Sequence, residues 1–382
     1  MNIYVDHYKD SDQTNTSFVT NMSVESVSTS STWTPMNISA ALPTSAFSAG
    51  DDPVTGPQVI MVPLVFFVVF ISGVIGNSLV IVVLSRKKMG KSGTTTNILI
   101  FNLSMADLAF LFLCVPFQAT IYSLPEWIFG PILCKLVHYF ATVTMLVSIF
   151  TLVAMSADRY IAVVHHAKVS LGLRSRRNAV SGMVMAWLLS LGIAIPVAQH
   201  QTYVTGYYEA PNSTFCWEIW ESHTQKQSYT AAILILGYLL PLLFISCCYI
   251  QVLRHLHKNI RMVSKKSERS KRKTTQTILA VVAIFSLSWF PHHLVTMWAN
   301  FGQFPLTDAS FALRIAAHCL AYGNSCVNPL IYAFLSENFR RAYRDVFRCS
   351  WPKTRSVGDV NCGIAAGRSE NTVTTMHSST NM

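Results

Sequence analysis

Charged residues are scarce in this sequence. Only 12% of its 382 residues are Asp, Glu, Lys or Arg, whereas 51% are hydrophobic. Soluble domains carry about 25% charged residues, so the composition excludes an ordinary soluble protein and indicates a membrane protein. The net charge of +11 could suggest a nucleic-acid partner. However, the basic residues stand in short runs beside apolar segments, which binding to a membrane explains better, and no nucleic-acid partner is expected.

The first 56 residues lack an apolar run and are rich in Ser and Thr. This composition predicts a disordered tail without a cleavable signal peptide. Sequons for N-glycosylation cluster there, which favours an extracellular tail. The usable sequons are Asn15, Asn21 and Asn37 in the tail and Asn212 in a later loop.

Seven apolar segments follow, and each is long enough to cross a hydrocarbon core of about 30 Å. They predict an all-α bundle over residues 57–335. We call the segments spans one to seven; they cover about 58–85, 97–122, 134–161, 179–200, 229–253, 274–299 and 312–335.

Basic clusters follow spans one, three, five and seven, whereas the other loops are mostly acidic. The positive-inside rule therefore predicts an extracellular amino terminus and a cytoplasmic carboxyl terminus. Residues 336–349 place Phe339, Tyr343 and Phe347 on one helical face opposite a basic face, which predicts an amphipathic helix on the inner membrane surface. Cys349 at the end of this helix is a candidate for palmitoylation, with a plain free thiol as the alternative. Residues 350–382 form a Ser/Thr-rich cytoplasmic tail.

Acidic residues are almost absent from the spans: Asp107 is the only carboxylate in the middle of one, and Asp158 lies at the end of span three. A lone carboxylate in lipid costs several kcal/mol, so Asp107 is either functional or a protonated group in a hydrated polar cluster. A transporter or channel would show paired intramembrane charges or two related halves, and neither is visible. An enzyme would need a nucleophile, a base or a metal set around Asp107, and none is present.

Short motifs occur in order, one per span, at matching depths. Together they resemble the rhodopsin-like G-protein-coupled receptors over residues 57–350. The motifs are Gly76-Asn77, Leu103 to Asp107, Asp158-Arg159-Tyr160, Trp187, Pro241 with Tyr249, Trp289-Phe290-Pro291, and Asn328-Pro329-Leu330-Ile331-Tyr332.

Longer runs give a closer resemblance, to the galanin receptor family, type 1 more than type 2. The runs include His138-Tyr139-Phe140, Phe215 to Glu218, Trp289 to His293, and Ala317 to Tyr322.

Two extracellular cysteines, Cys134 and Cys216, are predicted to form a disulfide because that compartment is oxidising; two free thiols are the alternative. The resemblance implies an allosteric sodium site and a set of activation residues. It also implies that Arg159 pairs with Asp158 at rest and meets the G protein on activation. Many receptors of this class have an acidic residue at the base of span six that holds the Arg in the resting state. Lys271 occupies that position here, so this ionic restraint on Arg159 is not expected. The sodium set is Asp107, Ser148, Trp289, Asn324 and Asn328; the activation set is Asp158, Arg159, Tyr160, Tyr249, Pro241, Ile149, Phe285, Pro291 and Tyr332.

Two absences narrow the ligand class. Span seven has no Lys for a retinal Schiff base, and Ala141 stands where amine receptors have an Asp. The remaining aromatic and imidazole surface suits a peptide, and adjacent His292 and His293 lack the spacing of a zinc site. The expected ligand contacts are His138, Phe140, Trp217, Glu218, His292, His293, Phe311, Arg314, His318 and Tyr322.

The expected function is a plasma-membrane receptor for a neuropeptide, galanin first, that lowers cyclic AMP through an inhibitory G protein. Ala141, Thr296 and Asn300 depart from the type 1 pattern. A related peptide, spexin or one like kisspeptin or allatostatin, is therefore the alternative ligand. The Ser residues of the basic loop 255–273 and of the tail are expected targets of receptor kinases and arrestin.

Overall fold

The computed structural model describes residues 58–86, 94–121, 123–165, 175–207, 210–258, 265–305 and 307–350. These residues form seven long helical segments in the predicted order. Spans one to four comprise Gln58–Arg86, Thr94–Leu113 with Val115–Ile121, Gly130–Val164, and Arg176–Ile193 with Ile195–His200. Span five comprises His223–Leu234, a π-helical turn Ile235–Leu239, and Leu240–Lys258. Span six is Lys265–Phe301 and span seven is Asp308–Leu335. The amphipathic helix is Glu337–Ser350.

Among these described segments, six helices are long and apolar enough to cross a membrane. Span seven falls short in hydropathy although it has 28 residues, or roughly 42 Å of helix. Its polar side chains Asn324, Ser325 and Asn328 are buried against the other helices rather than exposed to lipid. The lower hydropathy therefore reflects an internal polar face on a helix of spanning length.

Several helices start earlier than their apolar segments, because polar residues cap them. Ser175 accepts a hydrogen bond from the Asn178 amide before span four. Ser222 accepts one from Gln225 before span five. Thr307 forms a capping box at the start of span seven. A side-chain cap satisfies a free backbone amide and fixes a helix start that hydrophobicity alone does not mark.

Polar contacts hold spans two, three and four together inside the bundle. The Trp187 indole donates to Asn102 Oδ1 at 2.9 Å, and Asn102 Nδ2 donates to Thr151 Oγ1 at 2.8 Å. Both Asn102 and Thr151 are buried. Asn102 also begins a sequon, Asn102-Leu103-Ser104, but its side chain is buried inside the bundle.

Spans one and seven pack closely at Gly76. A Cβ at that position would lie 2.9 Å from the ring of Pro329. Asn77 beside it donates to the Ser325 carbonyl at 2.8 Å. The absence of a side chain at Gly76 thus lets the two backbones approach, and Asn77 fixes their register.

A β-hairpin follows span four, where the sequence analysis had expected only a loop. Strands β1 (Gln201–Tyr207) and β2 (Ala210–Glu218) are antiparallel, and Tyr203 lies opposite Cys216. β-Branched and aromatic residues suit such strands, so the composition of this segment held a signal. Each strand is short, however, so its residues alone do not identify it as a strand.

Candidate functional site

The predicted disulfide is present, between Cys134 at the start of span three and Cys216 in β2. Its Cα atoms lie 5.6 Å apart. We call this end of the bundle the outer end and the opposite end, which carries Arg159, the inner end, following the predicted orientation. The bond ties the hairpin to the bundle and confirms the expected pairing.

Trp127 gives the hairpin a second attachment. Its amide donates to the Thr214 carbonyl, and the Thr214 hydroxyl donates to the Trp127 carbonyl, both at 2.7 Å. Trp127 itself is 4% exposed. The hairpin is therefore held at two places over the outer end.

A cavity of about 1040 Å³ lies beneath the hairpin, between the outer ends of the spans. Volumes of this size are typical of ligand sites. Eight of the ten predicted ligand contacts line it: His138, Glu218, His292, His293, Phe311, Arg314, His318 and Tyr322.

Phe140 and Trp217 do not line this cavity, which departs from the expectation. Phe140 contacts Tyr139, with ring centroids 5.2 Å apart, and packs against the core. Trp217 is 8% exposed and stacks on Phe215 at 5.0 Å. Neighbouring Cys216 and Glu218 do line the cavity, because successive side chains of a strand point to opposite faces.

Imidazole and phenol rings form one connected wall of the cavity. The ring of His318 lies 5.1 Å from that of His292 and 5.9 Å from that of Tyr322. Nε2 of His138 and of His293 is buried without a hydrogen-bond partner among the described residues. Buried polar atoms of this kind are usually satisfied, so these two nitrogens are suited to hydrogen-bond a ligand or water.

The three positions that depart from the type 1 pattern all line the cavity. The Thr296 hydroxyl donates to the His292 carbonyl, and Asn300 Nδ2 donates to the Thr296 carbonyl, both at 2.8 Å. Gln227 of span five donates to the Asn300 carbonyl at 2.8 Å. One neutral hydrogen bond, from Gln227 to Asn300, therefore joins spans five and six at the outer end. Sequence reasoning missed Gln227 and the neighbouring Lys226, which also lines the cavity.

A second, much smaller cavity of about 10 Å³ lies deeper, lined by Asp107, Ser148, Trp289 and Asn324 among others. It has room for about one water molecule or a bare ion. Asn328 Nδ2 donates to Asp107 Oδ2 at 2.9 Å. The Oδ1 atoms of Asn324 and Asn328 are buried and have no partner among the described residues.

The five predicted sodium residues thus lie together around a carboxylate and unpaired amide oxygens. Oxygen donors are what a hard cation requires, so this set fits a sodium ion held by Asp107 with Ser148 and Asn324. No cluster of three or more His, Cys, Asp or Glu suited to a metal occurs within the described ranges.

At the inner end, Arg159 pairs with Asp158 at 2.5 Å, and both side chains are buried. Thr96 of span two joins them: its hydroxyl donates to Asp158 Oδ2 at 3.1 Å and accepts from Arg159 Nη2. Sequence reasoning missed Thr96, since nothing in its local pattern distinguishes it from Thr94 or Thr95. The side chain of Lys271 lies outside the described residues.

The other predicted activation residues lie along the bundle between the two ends. Ile149 and Phe285 are 0% and 1% exposed in one core cluster, and the Phe285 ring lies 6.0 Å from that of Trp289. Tyr249 and Tyr332 are buried near the inner end. Pro241 and Pro291 lie within spans five and six, where each removes a backbone donor. The Tyr160 hydroxyl lies 2.9 Å from Nε2 of His165.

The amphipathic helix packs under span seven. Phe339 stacks on Tyr332 with centroids 5.3 Å apart and contacts Tyr343. Burial raises the pKa of Tyr343 to about 12, so its phenol stays neutral at physiological pH. Asn15, Asn21 and Asn37 lie outside the described residues, as do the side chains of Asn212, Phe347 and Cys349.

Comparison with known proteins agrees with this architecture. The sequence matches the family of 7 transmembrane receptors (rhodopsin family) over residues 76–332. The chain therefore belongs to the rhodopsin family of seven-transmembrane receptors, multi-pass proteins of the plasma membrane that are not enzymes.

Within that family the chain is similar to the galanin receptors. It is 58% identical to galanin receptor type 1 of Mus musculus over 286 residues, 75% of this chain and 81% of the relative. Identity to the type 1 receptor of Homo sapiens is 56% over 296 residues, 78% and 84% of the two chains. Identity to the human type 2 receptor is 41% over 330 residues, 85% and 82% of the two. The expected leaning towards type 1 is confirmed.

Proposed function

We propose that this protein is a receptor for galanin that activates an inhibitory heterotrimeric G protein and so lowers cyclic AMP. The observation that carries the proposal is the similarity to galanin receptors type 1 across three quarters of the chain. The outer cavity supports it, because its volume and its aromatic and imidazole walls suit a peptide with aromatic side chains. In this proposal the amino terminus and the cavity face outside.

Four groups of residues have distinct roles in the proposal. His138, His293 and His318 offer ring nitrogens to the peptide, while Arg314 and Glu218 offer opposite charges. The Asp107 site binds sodium in the resting state. The Arg159 end receives the G protein, and receptor kinases and arrestin act on the same side. The amphipathic helix Glu337–Ser350 binds to the inner membrane surface, and Cys349 is the acylation site of this helix.

A related peptide such as spexin is the second candidate ligand, favoured by one observation. Thr296 and Asn300 line the cavity with neutral groups already bonded to their own helix, and Ala141 leaves the span-three wall small. A ligand that relies on charge or an aromatic wall at these positions would bind less tightly. Peptides like kisspeptin or allatostatin are weaker alternatives of the same kind.

The test is a peptide panel on cells expressing the full chain, with cyclic AMP and binding of labelled galanin as readouts. Galanin is expected to lower forskolin-raised cyclic AMP, and His293→Ala is expected to weaken binding at least tenfold. For the binding readout, His257→Ala is the matched control, because His257 is exposed at the inner end of span five, away from the cavity. Spexin acting at lower concentration than galanin would favour the second candidate. No response to any peptide of the panel would refute the ligand assignment.

A further inference from the structure

Span five contains a wide turn that the proposed ligand and coupling roles leave unexplained. Residues Ile235–Leu239 form a π-helical segment, a rare geometry that often occurs at functional sites. Gly237 and Tyr238 face the bundle there, and Tyr238 is 7% exposed. A Cβ on Gly237 would lie 2.9 Å from Leu146 of span three. The wide turn and the glycine together press span five inward and bury the Tyr238 side chain.

Tyr238 bonds to the backbone of span six. Its hydroxyl donates to the Ser286 carbonyl at 2.8 Å. The Ser286 hydroxyl takes no part, since it donates to the Val282 carbonyl of its own helix. The bond joins a side chain of span five directly to the main chain of span six, so it responds to movement of the helix itself.

The acceptor lies where span six is weakest. Pro291 has no amide hydrogen, so the carbonyl four residues earlier, that of Leu287, loses its helical donor. Ser286 is the residue before Leu287. The Tyr238 bond therefore crosses to the one turn of span six that proline deprives of an internal hydrogen bond.

Tyr238 also contacts the wall of the outer cavity. Its ring centroid lies 4.8 Å from that of His293, which lines the cavity and contacts Trp289 at 6.2 Å. A ligand that displaces His293 thus acts on Tyr238 without any intervening residue. Arg159 pairs with Asp158 in the same structure, as expected of the resting bundle.

We propose that Tyr238 is a positioning residue for activation: its hydroxyl ties span five to span six at rest, and ligand contact at His293 releases the bond. This inference rests on the proposed function as a G-protein-activating peptide receptor. A net contribution typical of one hydrogen bond makes the resting state roughly two- to tenfold more favoured.

The test compares Tyr238→Phe, which removes only the hydroxyl, with Tyr139→Phe in the purified full-length receptor. Tyr139 also donates to a carbonyl of another span, that of Leu191, but this bond joins spans three and four. Without peptide, Tyr238→Phe is expected to raise nucleotide exchange on the G protein two- to tenfold. Because ligand affinity scales with the active fraction, galanin should bind tighter by the same factor. Tyr139→Phe should change neither quantity.

Spin labels at the inner ends of spans three and six give a readout that needs neither peptide nor G protein. By the same factor, Tyr238→Phe should enlarge the population in which the distance between these two ends differs from that in the resting bundle. Populations and basal exchange within 1.5-fold of wild type, or a matching rise in Tyr139→Phe, would overturn the role of Tyr238. A change confined to thermal stability would do so as well, since it marks a purely structural bond. Failure of galanin on the wild-type receptor refutes only the proposed ligand.

Discussion

We predict that the Thr96 hydroxyl restrains Arg159 in the resting bundle and that its removal activates the receptor. Its hydroxyl bonds both Asp158 and Arg159, and all three side chains are under 10% exposed. Hydrogen bonds to charged groups contribute about 1.5–3 kcal/mol each. The Arg159–Asp158 pair is kept in Thr96→Ala, so we count the loss of one hydrogen bond at the lower end of this range, about 1.5 kcal/mol. This loss shifts the equilibrium about tenfold towards the active state.

A receptor that is about 1% active at rest would become about 10% active. The assay is nucleotide exchange on purified G protein without peptide, at equal concentrations of folded receptor. Thr96→Ser is the matched control, because it keeps the hydroxyl. Exchange by Thr96→Ala within twofold of wild type, or an equal rise in Thr96→Ser, would show that the hydroxyl does not restrain Arg159.

Three further predictions test other contacts. Asp107→Asn keeps the shape of the small cavity but removes its charge, so agonist affinity measured at 10-fold different sodium concentrations should become independent of sodium; retained dependence would place the ion elsewhere. Trp187→Phe leaves Asn102 Oδ1 without its indole donor and should cost about 1 kcal/mol, or about 2–4 °C of melting temperature in detergent; an unchanged midpoint would mean that water replaces the bond. Gly76→Val drives a side chain into Pro329 and should lower the melting temperature by more than Trp187→Phe does; equal stability would contradict the close packing of spans one and seven.

The spans and their order follow from hydrophobicity, because every backbone polar group in lipid must be satisfied within a helix. The first residues of the helices do not follow from hydrophobicity, because the caps Ser175, Ser222 and Thr307 set them through side-chain hydrogen bonds. The β-hairpin depends on contacts with Trp127 and Cys134, which lie far away in sequence. Local patterns of residues 201–218 could not supply that information.

The residues of the candidate site likewise fall into those that the sequence predicts and those that only the folded structure reveals. Residues in motifs, such as Asp107 and Asn328, come together as the motifs imply. Trp217 was expected in the cavity by resemblance, and the strand geometry of β2 turns it away. Phe140 was expected there as part of the aromatic surface near the outer end, but it packs against the core. Thr96 and Tyr238 form hydrogen bonds with residues of other helices, so only the folded bundle reveals these contacts.

The polar face of span seven bears on how this protein is assembled in the cell. A helix of low hydropathy partitions weakly into lipid by itself, whereas six other helices among the described residues are long and apolar enough to cross a membrane. Asn328 and Ser325 of span seven find their partners on Asp107 and Asn77, which belong to spans made much earlier. Span seven, the last of the spans to be synthesised, therefore gains these polar partners only once spans one and two are in place.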